Sequence, residues 1–180
     1  MFSIDKSFEC CYGHRVWSQT LKPKFSLDSL CKCRHLHGHQ MLLKIGLTCD
    51  ELKSGMVTDF KHLNCIKKIV DDVIDHHFIM DVNDPVLYEL FPVLKSKEIK
   101  LKDYNYYKII EKIPDGTSKP LSEVLEGLVL VDFVPTSENL CKFFYKVASN
   151  ELKELLDSEG VRISYVDFWE TPKSHCHDEP

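Results

Sequence analysis

An excess of positive charge is missing. Against 23 lysines and arginines stand 28 aspartates and glutamates, a net charge of −5 at neutral pH. The densest basic run, Lys95, Lys97, Lys100 and Lys102, is broken by Glu98 and bounded by Asp103. Binding to nucleic acid through phosphate neutralisation shows as a basic stripe, so no nucleic-acid partner is expected. Long apolar runs are also absent, and none approaches the roughly 18–20 residues of a membrane helix, so no membrane partner is expected. The opening Met1-Phe2-Ser3-Ile4-Asp5-Lys6 lacks the basic start and apolar stretch of an export signal, which predicts a cytoplasmic protein. Low-complexity and collagen-like segments are missing too. With 180 residues, 43% of them apolar, one domain can bury a core without covalent staples.

Eight cysteines are present. In a reducing compartment they read as buried small hydrophobes, thiol catalysts or metal ligands rather than disulfides. Cys49, Cys65 and Cys141 sit within apolar patterns and are expected in the core. Residues 2–11 read as a short strand. Residues 40–48 alternate, with Met41, Leu43, Ile45 and Leu47 on one face, the pattern of a half-buried strand. Asp59 can cap a helix whose buried side is Phe60, Leu63, Ile66, Val70 and Val73. Leu128–Val134 is strand-like. Pro135-Thr136-Ser137-Glu138-Asn139 then opens a helix lined by Leu140, Phe143, Phe144, Val147 and Leu155. Residues 161–169 alternate as a final strand, and the polar tail from Thr171 reads as loose. Residues 84–127, with four prolines and a Tyr-Asn-Tyr-Tyr cluster, read as an insertion with little regular structure beyond a short helix or hairpin. The element order predicts one α+β domain over 1–180, with helices packed on one face of an antiparallel sheet.

The densest chemistry lies in Cys31-Lys32-Cys33-Arg34-His35-Leu36-His37-Gly38-His39. On an extended chain His37 and His39 leave the same face, and Gly38 between them permits a close backbone approach. Two such histidines are two-thirds of an open three-histidine zinc site, with His14 of the first strand as the third. A closed structural site of Cys31, Cys33, His37 and His39 is the competing reading, although Cys-x-Cys is tight for it. Asp75-His76-His77 could supply acid–base chemistry or be a solvated helix end. Glu170, at the end of the last strand, could accept a paired hydrogen bond from an amidine-like edge or be an exposed acid. His35, His62, His77, His175 and His177 carry no assigned role.

Taken in order, Gly13-His14-Arg15, Cys33-x-x-x-His37-Gly38-His39, Asp59-Phe60, Asp75-His76-His77, Pro135-Thr136-Ser137-Glu138-Asn139 and Glu170-Thr171 resemble the 6-pyruvoyl- and 6-carboxy-tetrahydropterin synthases. The resemblance spans residues 1–83 and 128–172. It implies a tunnelling fold (T-fold), an antiparallel sheet with two helices on one side, whose subunits form a barrel as trimers or hexamers. It also implies Zn2+ on His14, His37 and His39, acidifying the substrate's side-chain hydroxyls, with Cys33 as general base. Asp75 and His76 would be the partner dyad, often reaching the site from a neighbouring subunit. Glu170 would anchor the pterin's 2-amino and N3–H edge, and Thr136, Ser137 and Glu138 would touch the ring across an interface. The implied substrate is 7,8-dihydroneopterin triphosphate.

The cysteine stands four residues before the first histidine of His-Gly-His. That spacing resembles the carboxy enzymes of 7-deazaguanine (queuosine) synthesis, whereas animal-type pyruvoyl synthases have a longer gap. The resemblance therefore implies 6-carboxy-5,6,7,8-tetrahydropterin as product, with acetaldehyde and triphosphate released. The alternatives are a pyruvoyl-type triphosphate lyase and a non-catalytic structural-zinc module. Residues 84–127 depart from compact members of the family, and Cys31 supplies a second thiol beside Cys33.

Overall fold

A computed structural model describes residues 1–179. In chain order, β1 (Phe2–His14) leads through 3-10 turns at Pro23–Phe25 and Lys32–Arg34 to β2 (His37–Cys49). A 3-10 turn at Phe60–Leu63 then enters α1 (Asn64–Ile69), which continues as a π-turn over Val70–Ile74 into β3 (His77–Asp81). Next come α2 (Leu87–Leu90), β4 (Lys100–Asp103), β5 (Lys108–Lys112) and α3 (Lys119–Glu126). The chain closes with β6 (Leu128–Val131), α4 (Ser137–Glu151), α5 (Lys153–Glu159), β7 (Arg162–Thr171) and β8 (Ser174–Asp178). No helix among the described residues is long and apolar enough to cross a membrane.

Contacts divide the chain into two compact units, with the division falling inside β1 and β2. The first comprises Met1–Cys11, His39–Asp75 and the chain from Ser137 onward. Here β2 pairs antiparallel with β7, from Leu42 opposite Trp169 to Thr48 opposite Arg162, and β7 pairs antiparallel with β8. Alternation along β2 does what the sequence predicts: Met41, Leu43, Ile45 and Leu47 are buried, with at most 1% exposure. Helix α4 packs on β7 and β8 and touches α1, so this unit carries the expected antiparallel strands and two helices. Phe144 of α4 stacks on Phe168 of β7 with ring centroids 5.8 Å apart. Cys49 and Cys141 are buried as expected, while Cys65 is half-buried.

Asp59 caps the 3-10 turn as predicted, its carboxylate accepting the Lys61 N–H at 2.7 Å. Phe60, expected on the buried side of the following helix, is exposed, and that side shifts by one residue at its end, to Ile74 instead of Val73. Its last turn is a π-turn, closed by Asp75 N–H donating to Val70 O at 2.8 Å, and the extra residue in that turn rotates the chain past the α-helical register. The tail is not loose. Ser174–Asp178 forms β8, with His175 stacked on Trp169 at 4.7 Å.

The second unit comprises Tyr12–Gly38 and His76–Thr136. It corrects the expectation of a wholly antiparallel sheet. The end of β1 runs parallel to β3, with His14 opposite Ile79, and β3 runs parallel to β6, with Phe78 opposite Leu128. Long crossovers through helices make such parallel pairs possible. Leu128–Val131 is buried at every position, the continuous apolar run of a strand covered on both faces. The segment 84–127 is organised. Strands β4 and β5 form the expected hairpin, and β5 adds antiparallel to β6. Leu87 and Leu125, both fully buried, join Met80, Leu128 and Leu130 in one core cluster. Burying each of those two leucines contributes about 2 kcal/mol.

Candidate active site

The end of β1 carries His14, which is completely buried. Its Nδ1–H donates to the Pro135 carbonyl at 2.7 Å, which turns Nε2 the other way. His37 opens β2, and its Nδ1–H donates to the His35 carbonyl at 2.8 Å. A carbonyl oxygen can only accept, so each Nδ1 carries a hydrogen, and a ring with that one hydrogen presents an Nε2 lone pair. Those two nitrogens face each other 3.1 Å apart. Two acceptors so placed repel unless a cation or a proton stands between them. Two ligands about 2.0–2.1 Å from a tetrahedral zinc ion stand roughly 3.3 Å apart, so the spacing fits a shared metal. His39 follows two residues along the same strand, and ring nitrogens of His14, His37 and His39 all lie within 4.8 Å of one another. The backbone carbonyls of Pro135 and His35 are the outer supports that orient such ligands. The donor set is three imidazoles, the set of an open zinc site.

Gly38 explains how the strands come close enough. A Cβ there would stand 2.7 Å from the Tyr12 carbonyl oxygen, so only glycine lets this backbone approach occur.

Among the described residues this histidine group, His14, His37 and His39, contains neither Cys31 nor Cys33. Cys33 sits half-buried on the Lys32–Arg34 turn. Cys31 caps that turn, its sulfur accepting the Cys33 N–H at 3.4 Å. The two thiols thus differ in place: one closes the turn and the other rides on it. Glu170, near the end of β7, has an Oε1 3.7 Å from His39 Nε2, so the structure brings this carboxylate to the metal-ligand strand. Asp75 ends the π-turn, and its Oδ1 accepts the Cys11 N–H at 2.9 Å. That carboxylate, together with burial, which is the larger cause, pushes the Cys10 thiol up to about 12. His76 has a φ of 59°, a left-handed conformation uncommon for a side-chain-bearing residue and concentrated at functional sites. Thr136 is half-buried, and its N–H donates to the Val134 carbonyl at 2.7 Å. Ser137 and the exposed Glu138 begin α4.

Sequence reasoning assigns no task to the side chains of Arg15 and Asp84, which lie 69 residues apart and join in an ion pair at 2.6 Å. Asp84 is buried. Only its position at the head of a proline-rich segment distinguishes it in the sequence. The carbonyls that orient His14 and His37 likewise leave no trace in residue identity.

The model for the 6-pyruvoyl tetrahydropterin synthase family matches residues 3–179. The chain is 34% identical to the 6-carboxy-5,6,7,8-tetrahydropterin synthase of Aquifex aeolicus, covering 96% of this chain and 94% of that protein. The crystal structure of an uncharacterized protein from Wolinella succinogenes superposes with a TM-score of 0.91 at 42% identity, covering 99% of this chain and 97% of the other. The 6-pyruvoyl tetrahydropterin synthase of Plasmodium vivax, at 18% identity with both chains covered in full, gives a TM-score of 0.56, a likeness of fold. Matched by the family model almost from end to end, this chain belongs to the 6-pyruvoyl tetrahydropterin synthase family.

Proposed function

We propose that this enzyme converts 7,8-dihydroneopterin triphosphate and water to 6-carboxy-5,6,7,8-tetrahydropterin, acetaldehyde and triphosphate, as a step in 7-deazaguanine (queuosine) synthesis. The observation that carries the proposal is the pair of Nε2 lone pairs, 3.1 Å apart, that His14 and His37 present beside His39. The choice of product is supported by the name of the Aquifex relative and by the spacing of Cys33 from His37.

Zinc on His14, His37 and His39 supplies a Lewis acid for the substrate's side-chain hydroxyls. The remaining work belongs to the chain's own groups. Cys33 Sγ takes a proton from the substrate side chain and returns it at a neighbouring carbon. A thiolate near a bound cation is favoured, which suits it to this task at neutral pH. Asp75 and His76 form the second proton-handling pair. The left-handed backbone at His76 makes its position a strained one that the surrounding chain must maintain. The two oxygens of Glu170 accept from the pterin 2-amino group and N3–H, a paired, charge-assisted contact that orients the ring. Thr136, Ser137 and Glu138 contact the ring from a neighbouring copy in a trimer or hexamer.

The test is Cys33→Ala in the zinc-loaded protein. Turnover is lost while zinc content and melting temperature stay at wild-type values. Loss of zinc together with unfolding would instead identify the cysteine as part of a structural metal site, because such zinc carries folding energy.

A further inference from the structure

The Lys32–Arg34 turn that carries Cys33 is fixed from two sides. Val16 N–H donates to the Cys33 carbonyl at 2.9 Å. One such bond is a hinge, about which a three-residue turn can pivot. A second bond one residue further removes that freedom: Arg15 Nε–H donates to the Arg34 carbonyl at 2.6 Å. The same guanidinium donates through Nη1 to Asp84 Oδ1 at 2.6 Å. Asp84 is itself held, since Oδ1 also accepts the Val86 N–H at 3.0 Å and its own N–H donates to the Asp81 carbonyl at 3.0 Å. Arg34 closes the turn internally, its Nη1 donating to the Cys31 carbonyl at 2.7 Å. Arg15 and Val16 directly follow His14, so one stretch of three residues offers a metal ligand and then two anchors for the cysteine turn.

We infer that Arg15, braced by Asp84, is a positioning residue that sets where the Cys33 thiol stands relative to the histidine group. This rests on Cys33 being the base. A planar guanidinium suits the task because it directs Nε–H and Nη1–H to two different acceptors in fixed relation, which an ammonium cannot do. The bracing carboxylate lies in the segment that departs most from compact family members, so the insertion supports the catalytic turn from its first residue.

Arg15→Lys separates the two bonds: a lysine can keep the charge pair with Asp84 but has no Nε–H for the Arg34 carbonyl. For this variant kcat falls about 10- to 100-fold, as expected for a misplaced catalytic group, while KM stays within about threefold. Zinc content and melting temperature remain at wild-type values. A readout without substrate is iodoacetamide modification of Cys33 relative to exposed Cys11, followed by peptide mass mapping; the freed turn raises this ratio about threefold or more. Wild-type kcat with an unchanged ratio overturns the inference, as does loss of zinc or a lowered melting temperature in step with activity. If Arg15→Lys does not accumulate as folded protein, Asp84→Asn decides on the same readouts, since it keeps an oxygen for Val86 N–H and removes the charge. If the wild type does not turn over dihydroneopterin triphosphate, the reaction assignment fails, and the modification ratio still decides whether Arg15 holds the turn.

Discussion

Replacing Gly38 by alanine tests the histidine group without touching a ligand. The new Cβ would stand 2.7 Å from the Tyr12 carbonyl oxygen, where ordinary contacts begin at 3.4 Å. The neighbour is backbone, so it cannot swing aside, and the strand ends must part by roughly 0.7 Å in a tightly packed region. His14 lies two residues beyond Tyr12, and His37 and His39 flank the mutated position. Metal–ligand distances tolerate only about ±0.2 Å. Zinc affinity should therefore fall about 10- to 100-fold, or roughly 1.4–2.7 kcal/mol. Competition against a chromogenic chelator measures it. Gly160→Ala is the control: its φ of 68° makes alanine strained, but nothing lies within 4 Å of the added Cβ. That variant loses about 1 kcal/mol of stability and keeps wild-type zinc affinity. A Gly38→Ala protein that binds zinc within threefold of wild type would show that the close approach at Gly38 does not set the histidine spacing.

Leu87→Ala empties a fully buried position in the segment 84–127 and costs about 2–5 kcal/mol in denaturant unfolding. A cost below about 1 kcal/mol would show that this segment contributes little to the core. His177 has its pKa raised above the ordinary 6.5, first by its hydrogen bond to Asp167 and then by that to Glu179. A raised folded value stabilises fully below the unfolded pKa and fades as pH rises through the folded one. His177→Asn should thus lose more stability at pH 6 than at pH 9. The difference stays below about 1 kcal/mol because the ring is partly exposed, and equal losses at both pH values would contradict the assignment.

What could be read in advance follows what each signal encodes. Period-two alternation with one buried face made β2 legible, and His37 and His39 came with it. The parallel pairing of β3 was not legible: His77–Asp81 is five residues long and follows directly on a helical segment, and nothing local names its neighbours. β8 carries no local signal, because Ser-His-Cys-His-Asp has no apolar alternation; it is held by pairing with β7 and by the stacking of His175 on Trp169. The insertion hid its core for a similar reason, since Leu87 and Leu125 meet only after folding. At the site, ligand identities were visible in residue types. The outer supports were not, because Pro135 and His35 act through backbone carbonyls and Arg15 through a partner far along the chain.

The product is read by an anaerobic incubation of the zinc-loaded protein with 7,8-dihydroneopterin triphosphate, with mass analysis of the pterin and an acetaldehyde assay. A 6-carboxy-tetrahydropterin synthase yields a carboxy-pterin and acetaldehyde in equal amounts. A pyruvoyl-pterin retaining all three side-chain carbons, with no acetaldehyde, would contradict that assignment.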